Sequence, residues 1–305
     1  MKNIAIVVLN WKTPKLTTDT VNSLLKITHS RYNYQILIID NGSDDGSLPH
    51  FKKQFSKNSI IKIFNTGSNL GYVEGNNFGI KIALKNKSDY ILVINSDVIV
   101  KPDFLQVMFD FLETNPTYGL VGPKIYFAPG FEYHKDRYSP KEIGKVIWSA
   151  GGIIDWNNVY GTNFGMDEVD HGQYDQINSD IDYISGCCLL VKSSVFKDLG
   201  LFDSKYYMYS EDAEFSRRLI GSGIKIAYLP NSVIWHINSG SSNRGSLHDY
   251  FLTRNRLILG FKYAKCRTKF ALFRDSIRTL FIGSLWQKYG VRDFYLRKLG
   301  KGSWK

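Results

Sequence analysis

Residues 91–100 read ILVINSDVIV, an apolar run broken by Asn95, Ser96 and Asp97. Apolar runs of this length read as buried strands, and a carboxylate inside one is costly to bury without a partner. Either the strand ends at Asn95 or Asp97 has a partner that offsets the cost. The rest of the chain decides between these by repeating the pattern. IAIVVLN (4–10), YQILIID (34–40), IIKIFN (60–65) and YILVIN (90–95) are buried-strand runs, each followed by polar or glycine-rich residues and then a helical pattern. Thr13 and Pro14 mark the first helix start as N-cap and first helical residue, and Pro102 opens the helix after the fourth run.

Strands alternating with helices predict an α/β fold: a mostly parallel, Rossmann-like sheet with helices on both faces. Ligands then bind outside the carboxyl ends of the strands. Asn10, Asp40, Asn69 and Asp97 all fall along that edge. Further on, YISGCCLLV (183–191) resumes a buried run, a helix begins near Glu211, and KIAYLP and SVIWH read as two short strands. Residues 125–182 are rich in Tyr, Gly, Asp and Asn with little periodicity, which reads as a long loop, either functional, as the region meeting the acceptor and donor sugar, or mobile.

A chain of 305 residues with 43% hydrophobic content supports one large domain with an appended segment and excludes a disordered protein. Cys187, Cys188 and Cys266 have no metal-type spacing, so a reducing compartment is expected. No signal h-region or spanning run is present, which favours a cytoplasmic protein. The net charge of +11 is unevenly placed: residues 261–305 hold twelve Lys or Arg against Asp275 and Asp293, so almost all of the excess lies in the tail. The expected division is a body at 1–260 and a basic tail at 261–305.

A dinucleotide-binding domain would need G-x-G-x-x-G after the first strand, where this chain has NWKTP. A different match is carried by eight segments in order: VVLNW (7–11), IIDNGSDDGS (38–47), NLGYVEGNN (69–77), INSD (94–97), GCCLLVKSSVF (186–196), FDSKYYMYSEDAEFSRRL (202–219), VIWHINSGSS (233–242) and YFLTRNRL (250–257). Together they resemble bacterial family 2 glycosyltransferases of the GT-A fold, especially rhamnosyltransferases, over residues 3–257. The resemblance implies inverting sugar transfer from a nucleotide diphosphate-sugar, such as dTDP-rhamnose or a UDP-hexose, with Mg2+ or Mn2+. The acceptor implied is a glycan or a lipid-diphosphate-linked saccharide of cell-surface polysaccharide synthesis.

The resemblance also implies roles for residues. Asp97 matches the metal-binding acid of a D-x-D-type motif, Asn95 standing where a first acid is usual and Ser96 between them; His236 matches the further metal ligand. Asp212 matches the catalytic base, with Glu211 orienting the acceptor or the loop. Asp40 or Asn41 would meet the nucleobase, and Asn10, Asn69, Gly71 and Asn76 would line the nucleotide site, where backbone N–H groups at a helix start favour anions. Arg254 is placed either to clamp the leaving diphosphate or to pair within the core. A sugar nucleotidyltransferase would want a basic Gly-rich loop near the N-terminus, which LNWKTPK does not supply. A non-catalytic sugar- or membrane-binding module would not need acid pair, metal position and histidine together.

In the tail, residues 267–289 place Phe270, Phe273, Ile277, Leu280, Phe281 and Leu285 on one helical stripe, with Arg267, Arg274 and Arg278 displaced from it. Such a helix either packs on the body or lies peripherally in an anionic membrane interface, on the inner face of the cell membrane. Nucleic acid is not expected, because no reader module is present.

Overall fold

The computed structural model describes residues 1–237 and 245–304. Residues 238–242, the end of the VIWHINSGSS segment, lie outside the described residues. The chain begins with β1 (Lys2–Asn10), α1 (Pro14–Leu24), β2 (Tyr32–Asp40), α2 (Ser47–Phe55), β3 (Ile61–Asn65), α3 (Gly71–Lys85) and β4 (Tyr90–Asn95). Then come β5 (Val98–Val100), α4 (Phe104–Thr114), β6 (Tyr118–Phe127), β7 (Ile147–Ser149), β8 (Gly152–Asp155) and β9 (Tyr160–Asn163). They are followed by β10 (Cys188–Lys192), α5 (Ser193–Leu199), α6 (Glu211–Gly221), β11 (Lys225–His236), α7 (Ser246–Tyr263), α8 (Cys266–Ile282) and α9 (Leu285–Tyr295).

Among the described residues, nine strands form one sheet in the order β3-β2-β1-β4-β10-β6-β11-β5, with β7 beside β6. The strands β3, β2, β1, β4, β6 and β11 run one way; β10, β5 and β7 run against them. Alternation along β1 assigns the two faces. Ile4, Ile6 and Val8 join α1, α2 and α4 in one core, through Val21, Leu24, Phe51 and Phe104. Ala5 and Val7 join α3, α5 and α6 in the other, through Val73, Ile80, Phe196 and Phe215. Each fully buried aliphatic side chain contributes about 1.5–3 kcal/mol, so this double-sided strand anchors the edge at which it ends.

Several local expectations change. Pro14 does open α1, but Thr13 is not its side-chain cap; its hydroxyl lies 3.4 Å from Asn10 Oδ1. KIAYLP and SVIWH are one strand, β11, whose register against β6 shifts between Leu229 and Val233. Pro230 lies in that shift, where a residue without an N–H costs the ladder least. Within 125–182 the chain is not simply a loop: β7 adds to the main sheet and β8 and β9 form a hairpin.

The division expected at residue 261 falls inside a helix. Helix α7 runs through that position without a break. Leu257, Leu259, Ala264, Leu272 and Val291 share a buried cluster with Ile154, Val159, Tyr183 and Ala213 of the body.

Candidate active site

Strand register builds the site's rim. Asn10 pairs with Asp40, Asp40 with Asn65, and Leu9 with Asn95, so β1–β4 end level with one another. On the β1–β3 half, polar groups are spent on each other. Asp40 is fully buried, its Oδ1 accepting from Asn10 Nδ2 (2.9 Å) and its Oδ2 from Asn65 Nδ2 (2.6 Å). Asn10 Oδ1 in turn accepts from the Thr17 hydroxyl at 2.7 Å.

Asn41 is engaged at both ends of its amide. Its Nδ2 donates to Asn69 Oδ1 and to the Gly71 carbonyl, both at 3.1 Å, and its Oδ1 accepts from Leu70 N (3.1 Å) and the Thr66 hydroxyl (3.3 Å). The expected base-reading amide therefore holds the 66–71 loop, while Asn69 is exposed on it. Gly71 opens α3 at φ 80°, and a Cβ there would lie 2.4 Å from the Tyr207 ring. Both the backbone angle and the space require glycine.

The β4 half is organised differently. Tyr72, one residue into α3, donates its hydroxyl to the Gly186 carbonyl at 2.7 Å and lies 3.1 Å from Asn95 Oδ1. Burial, then the charges of Glu211 and Asp212, hold this phenol well above its ordinary pKa, so it remains a donor. Asp212 closes the ring: its Oδ2 accepts from Gly186 N and its Oδ1 from Ala213 N, each at 2.8 Å. Thus Asn95, Glu211 and Asp212, distant in sequence, are gathered around one tyrosine and one glycine.

Glu211 and Asp212 open α6, where the helix dipole favours negative charge. Burial nevertheless pushes both carboxyls up. Glu211 rises well above the usual range, through desolvation and then the charge of Asp212. Asp212 rises too, but the backbone N–H groups of Gly186 and Ala213 oppose the rise. The two carboxyls therefore titrate as a pair whose affinity for a proton is raised, and Glu211 Oε2 has no hydrogen-bond partner.

Asp97 sits in the turn between β4 and β5. Antiparallel pairing of β5 with β11 sets His236 opposite Val98, and Ile237 N donates to the Asp97 carbonyl at 2.7 Å. Asp97 Oδ1 lies 3.3 Å from His236 Nε2, within ion-pair range but not aligned as a hydrogen bond. Both Asp97 Oδ1 and His236 Nδ1 are buried without a hydrogen-bond partner. Trp148 packs edge-on to the imidazole, with ring centroids 4.9 Å apart. An unspent carboxylate oxygen beside an imidazole nitrogen suits a divalent cation. Among the described residues no group of three or more His, Cys, Asp or Glu could hold a metal, so water or a phosphate-bearing ligand would supply its other ligands.

Residues 4–200 match the family model described as Glycosyl transferase family 2. The chain belongs to that family. The glycosyltransferase is 29% identical over 219 residues to the N-acetylglucosaminyl-diphospho-decaprenol L-rhamnosyltransferase of Mycobacterium tuberculosis, covering 68% of each chain. It is 27% identical over 238 residues to the dolichyl N-acetyl-alpha-D-glucosaminyl phosphate 3-beta-D-2,3-diacetamido-2,3-dideoxy-beta-D-glucuronosyltransferase of Methanococcus voltae, covering 76% of this chain and 66% of that one. Among solved structures, it resembles GalNAc-T7 crystallised with UDP, GalNAc and Mn2+, with a TM-score of 0.61 and 18% identity. That match covers 78% of this chain and 44% of the other, and supports the GT-A fold. Family membership sets aside the nucleotidyltransferase and non-catalytic readings.

The remaining site residues of the glycosyltransferase divide sharply. Asn76 is buried on α3, its Nδ2 donating to the Tyr72 carbonyl (2.9 Å) and its Oδ1 left without a partner. Ser96 is half-buried in the turn before Asp97. Arg254 is fully buried in α7, with Nη2 donating to the carbonyls of Tyr206 (3.0 Å) and Lys205 (3.2 Å) and the guanidinium over the Tyr250 and Phe251 rings. It is inside the protein rather than presented as a diphosphate clamp. Its neighbour Asn255 donates to the carbonyls of Met208 (2.7 Å) and Tyr209 (2.8 Å). Together they hold a segment in which Tyr207, Tyr209 and Ser210 all adopt left-handed φ of 64–67°. Non-glycine residues there cost about 1–3 kcal/mol each, a strain that aims the start of α6. Sequence reasoning missed Tyr72, Gly186 and Asn255. All three stood inside quoted segments, yet nothing in their spacing announced the contacts they make.

Proposed function

We propose that this glycosyltransferase transfers a sugar, with inversion, from a nucleotide diphosphate-sugar to a saccharide acceptor carried on a lipid diphosphate, with Mg2+ or Mn2+ as cofactor. The observation that carries the reading is that Tyr72, bonded to Gly186 and close to Asn95, lies within reach of the charges of Glu211 and Asp212 and of Asp97, which is itself paired with His236. The names of the relatives from M. tuberculosis and M. voltae support the lipid-linked acceptor, and the first supports a rhamnosyl donor. The Mn2+ of the GalNAc-T7 structure supports a divalent cation.

In this mechanism Asp212 is the base. Two backbone N–H groups hold its carboxylate at a fixed angle, and its raised pKa brings it closer to the working pH, where a general base is most effective. Glu211, buried beside it, raises the pair's affinity for a proton through desolvation and charge. Tyr72 fixes the 186 loop and, through it, Asp212. Asp97 and His236 would hold the cation, which when bound neutralises charge on the departing nucleotide diphosphate. The Asn10, Asp40 and Asn41 network shapes the nucleotide side, presenting Asn69 and the start of α3. Position at the inner face of the cell membrane fits a lipid-borne acceptor.

Replacing Asp212 with Asn should lower the transfer rate about 10³-fold, within the usual range for general-base removal, while calorimetric binding of the donor survives. Full activity in that variant would refute the base assignment.

A further inference from the structure

We infer that α8 is a membrane-interface helix that seats the enzyme on an anionic lipid surface. The inference rests on the reading of a membrane-borne acceptor, although its binding test needs no acceptor. The apolar stripe anticipated in the sequence does not pack on the body. Instead α8 turns Thr268, Leu272 and Ser276 inward. Leu272 meets Gly260 of α7 so closely that a Cβ there would lie 2.2 Å from Leu272 Cδ1, and Ser276 Oγ is 2.7 Å from the Tyr295 hydroxyl.

On the other side Phe270, Phe273, Ile277, Leu280 and Phe281 are all exposed, Phe270 by 70% and Phe281 by 76%. The face continues into Ile282 and Leu285 at the corner with α9. Single exposed apolar residues are ordinary, but a continuous helical face of them marks an interaction surface.

Charge selects the occupant. Arg267, Arg274 and Arg278 are exposed in a row beside the stripe. Both acids of the tail are engaged: Asp275 receives Arg256 at 2.6 Å, and buried Asp293 receives Arg292 at 2.9 Å and the Tyr250 hydroxyl at 2.5 Å. An apolar stripe flanked by unopposed arginines matches the boundary between acyl chains and lipid phosphates. A second copy packed on this face by two-fold symmetry would bring the same arginine row towards itself. Among the described residues no helix is long and apolar enough to cross a membrane, so α8 would lie in the interface.

The test is co-sedimentation of the full chain with phosphatidylcholine vesicles, with and without about one-third phosphatidylglycerol. Wild type should pellet with the anionic vesicles, less so at high salt, and the Phe270→Glu/Phe281→Glu double variant should lose at least about tenfold in partitioning. Arg274→Glu/Arg278→Glu should lose the preference for phosphatidylglycerol. Thermal melting unchanged from wild type would verify that the variants fold. Wild type remaining in the supernatant, or equal pelleting of the Phe variant, would overturn the proposal. So would sedimentation equilibrium showing a lipid-free dimer that the Phe variant converts to monomer. If the Phe variant still glycosylates a water-soluble acceptor, the transferase reading stands independently; if wild type transfers to no acceptor, that reading fails while the vesicle result is untouched.

Discussion

The two halves of the strand-end rim are built from similar residues and reach opposite electrostatic states. Around Asp40, the buried side-chain oxygens and amides are bonded to neighbours: Asn10 and Asn65 donate to its carboxylate, and Asn41 is engaged at both ends of its amide. Around Tyr72, buried atoms are left unmatched at Asn76, Asp97, Glu211 and His236. Buried polar groups are normally satisfied, and each exception costs about 1–3 kcal/mol. The lesson is that the first half is scaffold and the second holds unspent bonding capacity for ligands.

That comparison can be broken. The largest effect expected, after loss of Asp212, is at Asp97: Asp97→Asn should cost about 10²-fold in transfer rate and raise the Mn2+ concentration needed, since it removes the site's formal charge. Unchanged metal dependence would return Asp97 to the scaffold class. Asn255→Ala should next release the strained 207–210 segment and reduce kcat by about tenfold. Donor affinity should be retained, because Asn255 acts through the position of Asp212. A loss confined to donor affinity would contradict this.

On the scaffold half, Asp40→Ala should act mainly on folding. It strands the amides of Asn10 and Asn65 and should cost about 2–4 kcal/mol, read by denaturant unfolding. Kinetics normalised to the folded fraction should change less than in Asp97→Asn. The smallest effect has the opposite sign. Burial raises the folded-state pKa of Glu211 above its unfolded value, so its protonated form is favoured in the fold. The stability linked to that proton is present at low pH and is lost as pH rises through the folded-state pKa. Glu211→Gln should therefore raise Tm by about 2–4 °C at pH 8, with the gain vanishing below about pH 4. A gain independent of pH would show that packing, not titration, is responsible.

Legibility followed the range of the interactions. Strands β1–β4 were readable because buried parallel strands are near-continuous apolar runs, and their order placed Asn10, Asp40 and Asp97 at one edge. Strand β6 was not read, because Gly119, Gly122 and Pro123 interrupt its pattern. The pairing of Asp97 with His236 was anticipated only through family resemblance; β5, three residues long, brings them together. For Arg254 the sequence left a clamp and a core pairing both open, since spacing shows a helical face but not what covers it.

By itself, then, the sequence determined the alternation of strands and helices, the chemical types at the strand ends and the family, because these depend on neighbours in the chain. Tertiary structure alone decided which buried polar groups are satisfied and which are left open. It also turned the apolar face of α8 outward, where the sequence had left inward packing and exposure both open. Both outcomes depend on which side chains arrive from elsewhere: the bonded carboxylate of Asp40 needs Asn65 from the neighbouring strand, and α8 is held by Gly260 and Tyr295 on either side of it.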